Sequence, residues 1–150
     1  MAHTFTHLLT HIIFSTKDRR PLLDGELKSR LFPYLGGIMR AHDSKALIIN
    51  GPADHVQILA SLAAKHSLSD LMRKLKADSS GWIHKNFPNQ KIFAWQIGYG
   101  AFSVSHSNLA EVEKYIANQE QHHRTVSFQE EFVVLLKKHE IQYDERFLWE

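Results

Sequence analysis

Four short runs rich in β-branched and aromatic residues, separated by two stretches of helical spacing, constrain this chain more than any other feature. The first, TFTHLLTHIIFS at 4 to 15, has no glycine or proline and reads as a buried strand closed by the basic turn Lys17, Arg19, Arg20, Pro21. Leu27, Leu31, Leu35 and Ile38 then follow helical spacing, with Pro33 expected to kink the helix or split off its first turn. KALIIN at 45 to 50 and HVQILASL at 55 to 62 flank Gly51, Pro52, Ala53 and Asp54, a turn-rich link that favours a hairpin. Ser67 and Asp70 form a capping-box pattern ahead of Leu71, Met72 and Leu75, a helix that the run Ala77 to Gly81 is expected to weaken. IFAWQIGYGAFSV at 92 to 104 reads as the fourth strand, with Phe93, Trp95, Ile97 and Tyr99 on one face. A bulge near Gly98 or Gly100 would explain the later change of phase to Phe102 and Val104. Asn108 with Glu111, and Ser127 with Glu130, make capping boxes for two last helices.

This order predicts an α+β fold: a ferredoxin-like (RRM-like) antiparallel four-stranded sheet in βαββαβ order, helices on one face, with further C-terminal helices. A chain of 150 residues fits one domain spanning 1–150. No stretch approaches the roughly 18 apolar residues of a membrane span, and the N-terminus has no basic leader region, so a cytoplasmic protein without a membrane partner is expected. Fold alone names no function.

Eleven histidines and no cysteine turn attention to metal chemistry without thiolates. His3, His7 and His11 sit at spacing four on the first predicted strand and match no helical zinc motif, so a histidine-rich hydrolase or storage site is disfavoured. His55 and Gln57 alternate with Val56 and Ile58, which points the polar pair to one strand face. The wetter face of a half-covered strand is the plainer reading of that pattern. Tyr115 and Gln119 stack one helical turn apart with His122 beside them, although an amphipathic tyrosine at the core boundary and cations at a helix C-terminus (His122, His123, Arg124) are the plainer readings. The net charge of +2 conceals a body of +6 over residues 1–100 and a tail of −4 over 101–150, which permits a polyanionic partner for the body.

Taken together, DHVQ at 54 to 57, WQIGYGAFSVS at 95 to 105, YIANQEQHH at 115 to 123, SFQEEF at 127 to 132 and YDER at 143 to 146 resemble the single-tyrosine HUH transposases of insertion sequence 200/605 type, with their REP-associated relatives. The resemblance covers nearly the whole chain. It implies a prokaryotic enzyme that acts on hairpin-bearing single-stranded DNA, with Tyr115 as nucleophile and His55, Gln57 and Gln119 holding Mg²⁺ or Mn²⁺. Position 57 departs from the family, which ordinarily has histidine there, while replication initiators of some small circular-DNA viruses use a His-hydrophobic-Gln variant. Three neutral ligands imply a metal held weakly until DNA is present. His122 is a conjectural proton-handling neighbour. For DNA contact the resemblance points to Arg73, Lys74, Lys76, Ser79, Ser80 and Lys85, with Trp82 as a stacking surface or core residue. Ala77, Asp78, Ser79, Ser80, Gly81 stand where relatives commonly carry Gly-Gly-Ser-Ser-Lys. The family also implies a homodimer whose tyrosine helix can complete the partner's site. The alternative is a catalytically impaired or domesticated relative that binds hairpin DNA without cleaving it.

Overall fold

The structure is a computed structural model that describes residues 3–150. Its strands are β1 (Leu8–Ser15), β2 (Lys45–Asn50), β3 (His55–Leu62) and β4 (Gly100–Ser103); its helices are α1 (Gly25–Ala41), α2 (Leu68–Asn86), α3 (Leu109–Ala117), α4 (Gln119–His122) and α5 (Phe128–Lys138). The sheet order is β2-β3-β1-β4 with every neighbouring pair antiparallel, the split βαβ arrangement the sequence pattern calls for.

Alternation along β1 and β3 gives the sheet two different faces. Ile12, Phe14, Val56 and Ile58 pack with Leu31, Leu35, Leu71 and Leu75 of α1 and α2. Ile13 and Phe102 meet Phe128, Phe132 and Leu136 of α5 on the opposite face. The register sets Ser15 opposite His55 and Ile13 opposite Gln57, so both polar residues of β3 lie on the face that the C-terminal helices cover.

Several local expectations are corrected. Pro33 sits inside a helix assigned without a break from Gly25 to Ala41. α2 continues through Ala77 to Gly81 as far as Asn86, because Ser79 and Ile83 are buried on its core side. Residues 92–99 form no strand beyond a bridge between Trp95 and Thr16. Ile97 is 85% exposed there while Phe93 and Trp95 are buried, so they do not share a face. The bulge lies instead in β2, between Ala46 and Ile48. Ser67 and Ser127 accept the Asp70 and Glu130 amides as capping boxes require, but Asn108 makes no side-chain cap and closes a 3₁₀ turn at His106–Asn108. His3 and His7 precede β1 and are exposed.

Gly100 is explained by close approach. A Cβ there would lie 2.7 Å from the Phe132 ring and 3.0 Å from the Ile13 side chain. Gly100→Ala is expected to destabilise the fold by about 1–3 kcal/mol through overpacking between sheet and α5. Urea unfolding of the variant checks this.

Candidate active site

The polar end of β3 is closed off from water. His55 and Gln57 are each 0% exposed, as is Gln119, under a lid made by the end of α3, by α4 and by the start of α5. α3 delivers Tyr115 near its C-terminus, Asn118 ends that helix, and Gln119 opens α4. Asn50 at the end of β2 ties the two layers by donating to the carbonyls of Ile116 and Ala117 at 2.9 and 3.2 Å.

At the centre is Glu131, 3% exposed. Its Oε1 lies 2.8 Å from Gln57 Nε2, 2.8 Å from His123 Nε2 and 3.3 Å from His55 Nε2. Its Oε2 accepts from the Tyr115 hydroxyl and from Gln119 Nε2 at 3.2 Å. Gln119 Oε1 in turn lies 2.6 Å from Gln57 Nε2 and 3.3 Å from His55 Nε2. Gln57 therefore directs its amide nitrogen into the cluster, while its oxygen accepts from His11 Nε2 at 2.6 Å. His55 donates Nδ1–H to Asp54 Oδ1 at 2.7 Å, which leaves Nε2 facing the cluster. Among the described residues no buried side-chain nitrogen or oxygen is without a partner.

The charges follow from these bonds. Burial alone would raise the Glu131 carboxyl, but hydrogen bonds from His123, His55 and Tyr115 hold it well below the usual carboxylate range. Burial, reinforced by the bond and charge of Glu131, pushes the Tyr115 hydroxyl up. For His55 burial opposes the charged form, yet Asp54 and Glu131 outweigh it and raise the imidazole above its ordinary value. His11 is lowered, chiefly by burial.

Of the residues singled out in the sequence, His55, Gln57, Tyr115 and Gln119 are brought together. His122 stands at the rim, 3.5 Å from the Tyr115 hydroxyl, and the closer acceptor for that hydroxyl is Glu131. The sequence pattern does not place Glu131, His123 or His11 in the cluster. His123 had a sufficient reading as a helix-terminal cation. Glu131 did carry a signal: three residues after Phe128 and one before Phe132, it puts a carboxylate on the apolar stripe of α5.

The proposed DNA set divides. Ser79 is fully buried, donating to Leu75 O at 2.6 Å and accepting from Trp95 Nε1 at 2.9 Å, so it cannot reach DNA. Lys76 reaches across to the 96–98 loop, 2.8 Å from Gln96 O and 3.2 Å from Ile97 O, and it also approaches Gly98 O. Burial lowers Lys76 to about 8, while those carbonyls favour its charged form. Its job is to hold a loop. Arg73, Lys74 and Lys85 are exposed along α2, with Lys74 3.9 Å from Asp78, and Ser80 lies partly exposed beside Arg73 in a shared cleft. Trp82 stacks on Tyr34 at 4.6 Å and is not free to stack on a base. Lys76→Met is expected to cost about 1–3 kcal/mol by stripping a donor from three carbonyls. The salt dependence of DNA binding should stay unchanged; a shallower salt slope in Lys76→Met would instead make it a phosphate contact.

A family profile described as "Transposase IS200 like" matches residues 4–119. The chain belongs to the IS200-like transposases. The transposase for insertion sequence element IS200 of Salmonella typhimurium is 29% identical over 124 residues, covering 79% of this chain and 81% of that one. The ISDra2 transposase TnpA of Deinococcus radiodurans is 26% identical over 114 residues, 73% of this chain and 81% of the relative. Among solved structures, a Deinococcus radiodurans protein assigned as a transposase superposes with a TM-score of 0.65 at 23% identity, covering 79% of this chain and 96% of that one. The REP-associated tyrosine transposase bound to a REP hairpin gives 0.62 at 14% identity, covering 84% and 76%. The ferredoxin-like antiparallel sheet with its packed helices is the fold that these two solved structures share with this chain. Among the described residues no helix is long and apolar enough to cross a membrane.

Proposed function

We propose that this member of the family cleaves and rejoins single-stranded DNA by transesterification at Tyr115. The observation that carries the reading is the convergence of the Tyr115 hydroxyl, His55 and Gln119 in one buried cluster, drawn from β3, α3 and α4. In the reaction Tyr115 Oη bonds to the scissile phosphorus and the bond from phosphorus to the 3′ oxygen breaks. The products are a 5′-phosphotyrosine link and a 3′-hydroxyl, and the reverse attack by a 3′-hydroxyl rejoins strands. Glu131 Oε2, already accepting from Tyr115, orients the phenolic hydroxyl. His122 is the second group near that hydroxyl.

The donor set at the site, an imidazole nitrogen on His55 and an amide oxygen on Gln119 beside a carboxylate, suits Mg²⁺ or Mn²⁺. Bound there, such an ion supplies charge stabilisation to the phosphoryl oxygens as the bond changes. Asp54 holds the His55 ring so that Nε2 faces the site.

The substrate is read as hairpin-bearing single-stranded DNA, in keeping with the hairpin held by the structural neighbour. Arg73, Lys74 and Lys85 on α2 offer the phosphate contacts, with Ser80 beside them. A second reading, binding without cleavage, is favoured by one observation: Gln57 fills the centre of the cluster with an amide nitrogen.

Incubation with end-labelled hairpin DNA and Mn²⁺ decides between them. A protein–DNA adduct surviving denaturation, absent in chelator, supports cleavage; tight binding with no adduct supports the second reading. If Tyr115 acts with His55 and Gln119 of its own chain, mixing Tyr115→Phe with His55→Ala chains gives no adduct. Recovery of adduct in the mixture would mean that a homodimer shares its tyrosine helices.

A further inference from the structure

We propose that the metal is held by two imidazoles and a carboxylate, His55, His123 and Glu131, with Gln119 beside them, and that Gln57 is a positioning residue outside the ligand set. The inference rests on the metal-dependent reading above and specifies its ligands. Both added residues lie beyond 4–119, the stretch matched by the family profile.

Three observations support it. First, His55, His123 and Glu131 each offer one ligand atom, all within 4.8 Å of one another, the one such trio among the described residues. Two ligands about 2.1 Å from a common ion stand about 3.0–3.4 Å apart. The 2.8 and 3.3 Å separations from Glu131 Oε1 to the two imidazole nitrogens are close to that without rearranging either helix. Second, Gln57 is anchored the wrong way round for a ligand. Its oxygen is fixed on His11 at 2.6 Å, and its nitrogen, which has no lone pair to give, points at Glu131 and Gln119. A nitrogen carrying two partly positive hydrogens between a carboxylate and an amide oxygen marks a place where positive charge is welcome. Third, His123 is packed edge-on to the His55 ring at 4.4 Å, so the two imidazoles approach Glu131 together.

The ligand change has chemical consequences. Where the family's second strand histidine is missing, His123 just after α4 returns an imidazole and Glu131 of α5 adds an anion. Two nitrogens and a carboxylate favour Mn²⁺ or Co²⁺ over Mg²⁺, which prefers oxygen. With one ligand charged, the metal is retained without DNA. Glu131 then links the metal to the nucleophile, Oε1 toward the ion and Oε2 on the Tyr115 hydroxyl.

The test is a Mn²⁺ titration of the DNA-free chain by electron paramagnetic resonance, with pulsed measurement of the imidazole nitrogens coupled to the bound ion. Wild type is expected to bind Mn²⁺ at least tenfold more tightly than Mg²⁺, with two coupled imidazoles. Glu131→Gln should weaken Mn²⁺ at least tenfold. His123→Ala, at a less buried position, should weaken it similarly and leave one imidazole. A single coupled imidazole in wild type, or affinity unchanged in both variants, would overturn the ligand set. An adduct at Tyr115 alongside a single imidazole would sink this ligand set and leave the transposase reading standing. Two imidazoles with no adduct would support the ligand set while removing that reading.

Discussion

Tyr115→Phe is expected to abolish covalent capture of single-stranded DNA, lowering adduct formation by roughly 10³-fold or more, because no other hydroxyl replaces a lost nucleophile in one step. The substitution removes one oxygen and little else. The ring keeps its edge-on contacts with His11 and His122, at 6.1 and 5.3 Å between centroids. Glu131 loses one of several donors and retains those from His123, Gln57 and Gln119. Hairpin affinity should therefore match wild type, and stability should change by no more than about 1 kcal/mol. His122→Ala makes the contrast: a residue 3.5 Å from the hydroxyl and partly exposed should alter adduct yield far less. Quantitative gels of labelled DNA, with binding measured in parallel, separate a lost reaction from a lost complex.

Glu131→Ala carries the largest expected cost in stability, about 3–5 kcal/mol, the range for removing one partner of a buried charged network. The carboxylate is the common acceptor for Tyr115, Gln57, Gln119 and His123, all of which would lose a partner inside a closed layer. Against a typical total of about 5–15 kcal/mol that is enough to leave much of the chain unfolded on warming. Glu131→Gln keeps the volume and one acceptor oxygen and should cost less. The pH dependence has a definite sign. Glu131 is held below its ordinary range in the folded chain, so its contribution is complete above the unfolded carboxylate range, near pH 4, and is lost as pH falls. His55 is raised, so its contribution is full below its unfolded value near 6.5 and fades as pH rises through the folded value. Urea unfolding at pH 3 to 8 should show a steep acid loss in wild type and a shallow one in Glu131→Gln. Parallel acid slopes would mean that Glu131 is not the charged hub.

The sheet was legible because period-two alternation and turn residues report directly on which strand face is buried. Val56 and Ile58 faced α1 and α2, as their spacing required. The fourth strand is shorter than its apolar run because Phe93 and Trp95 are apolar for packing in the core, and the 92–99 segment is held by Lys76, Gln96 and a single bridge from Trp95 to Thr16 in place of a continuous ladder. Tyr115 and Gln119 could be matched by motif, since one helical turn keeps them together across a helix break. Glu131 lies 12 residues after Gln119 and 74 after Gln57, and no local rule links positions that far apart. Its only local trace was a charge on an apolar stripe, easily taken for a capping-box neighbour of Ser127. Ser79 failed as a DNA contact for a related reason: a hydroxyl on a helix looks polar in sequence, yet Trp95 and the Leu75 carbonyl satisfy it in the core.

One tyrosine is expected to be the covalent carrier of DNA. The most direct measurement is mass spectrometry of the trypsin- and nuclease-digested adduct, which asks which side chain bears the phosphonucleotide. It is expected on the peptide Tyr115 to Arg124, at Tyr115, through a phosphate that remains on the 5′ oxygen of the nucleotide downstream of the cut. A phosphonucleotide on Tyr34, Tyr99, Tyr143 or any serine would contradict it.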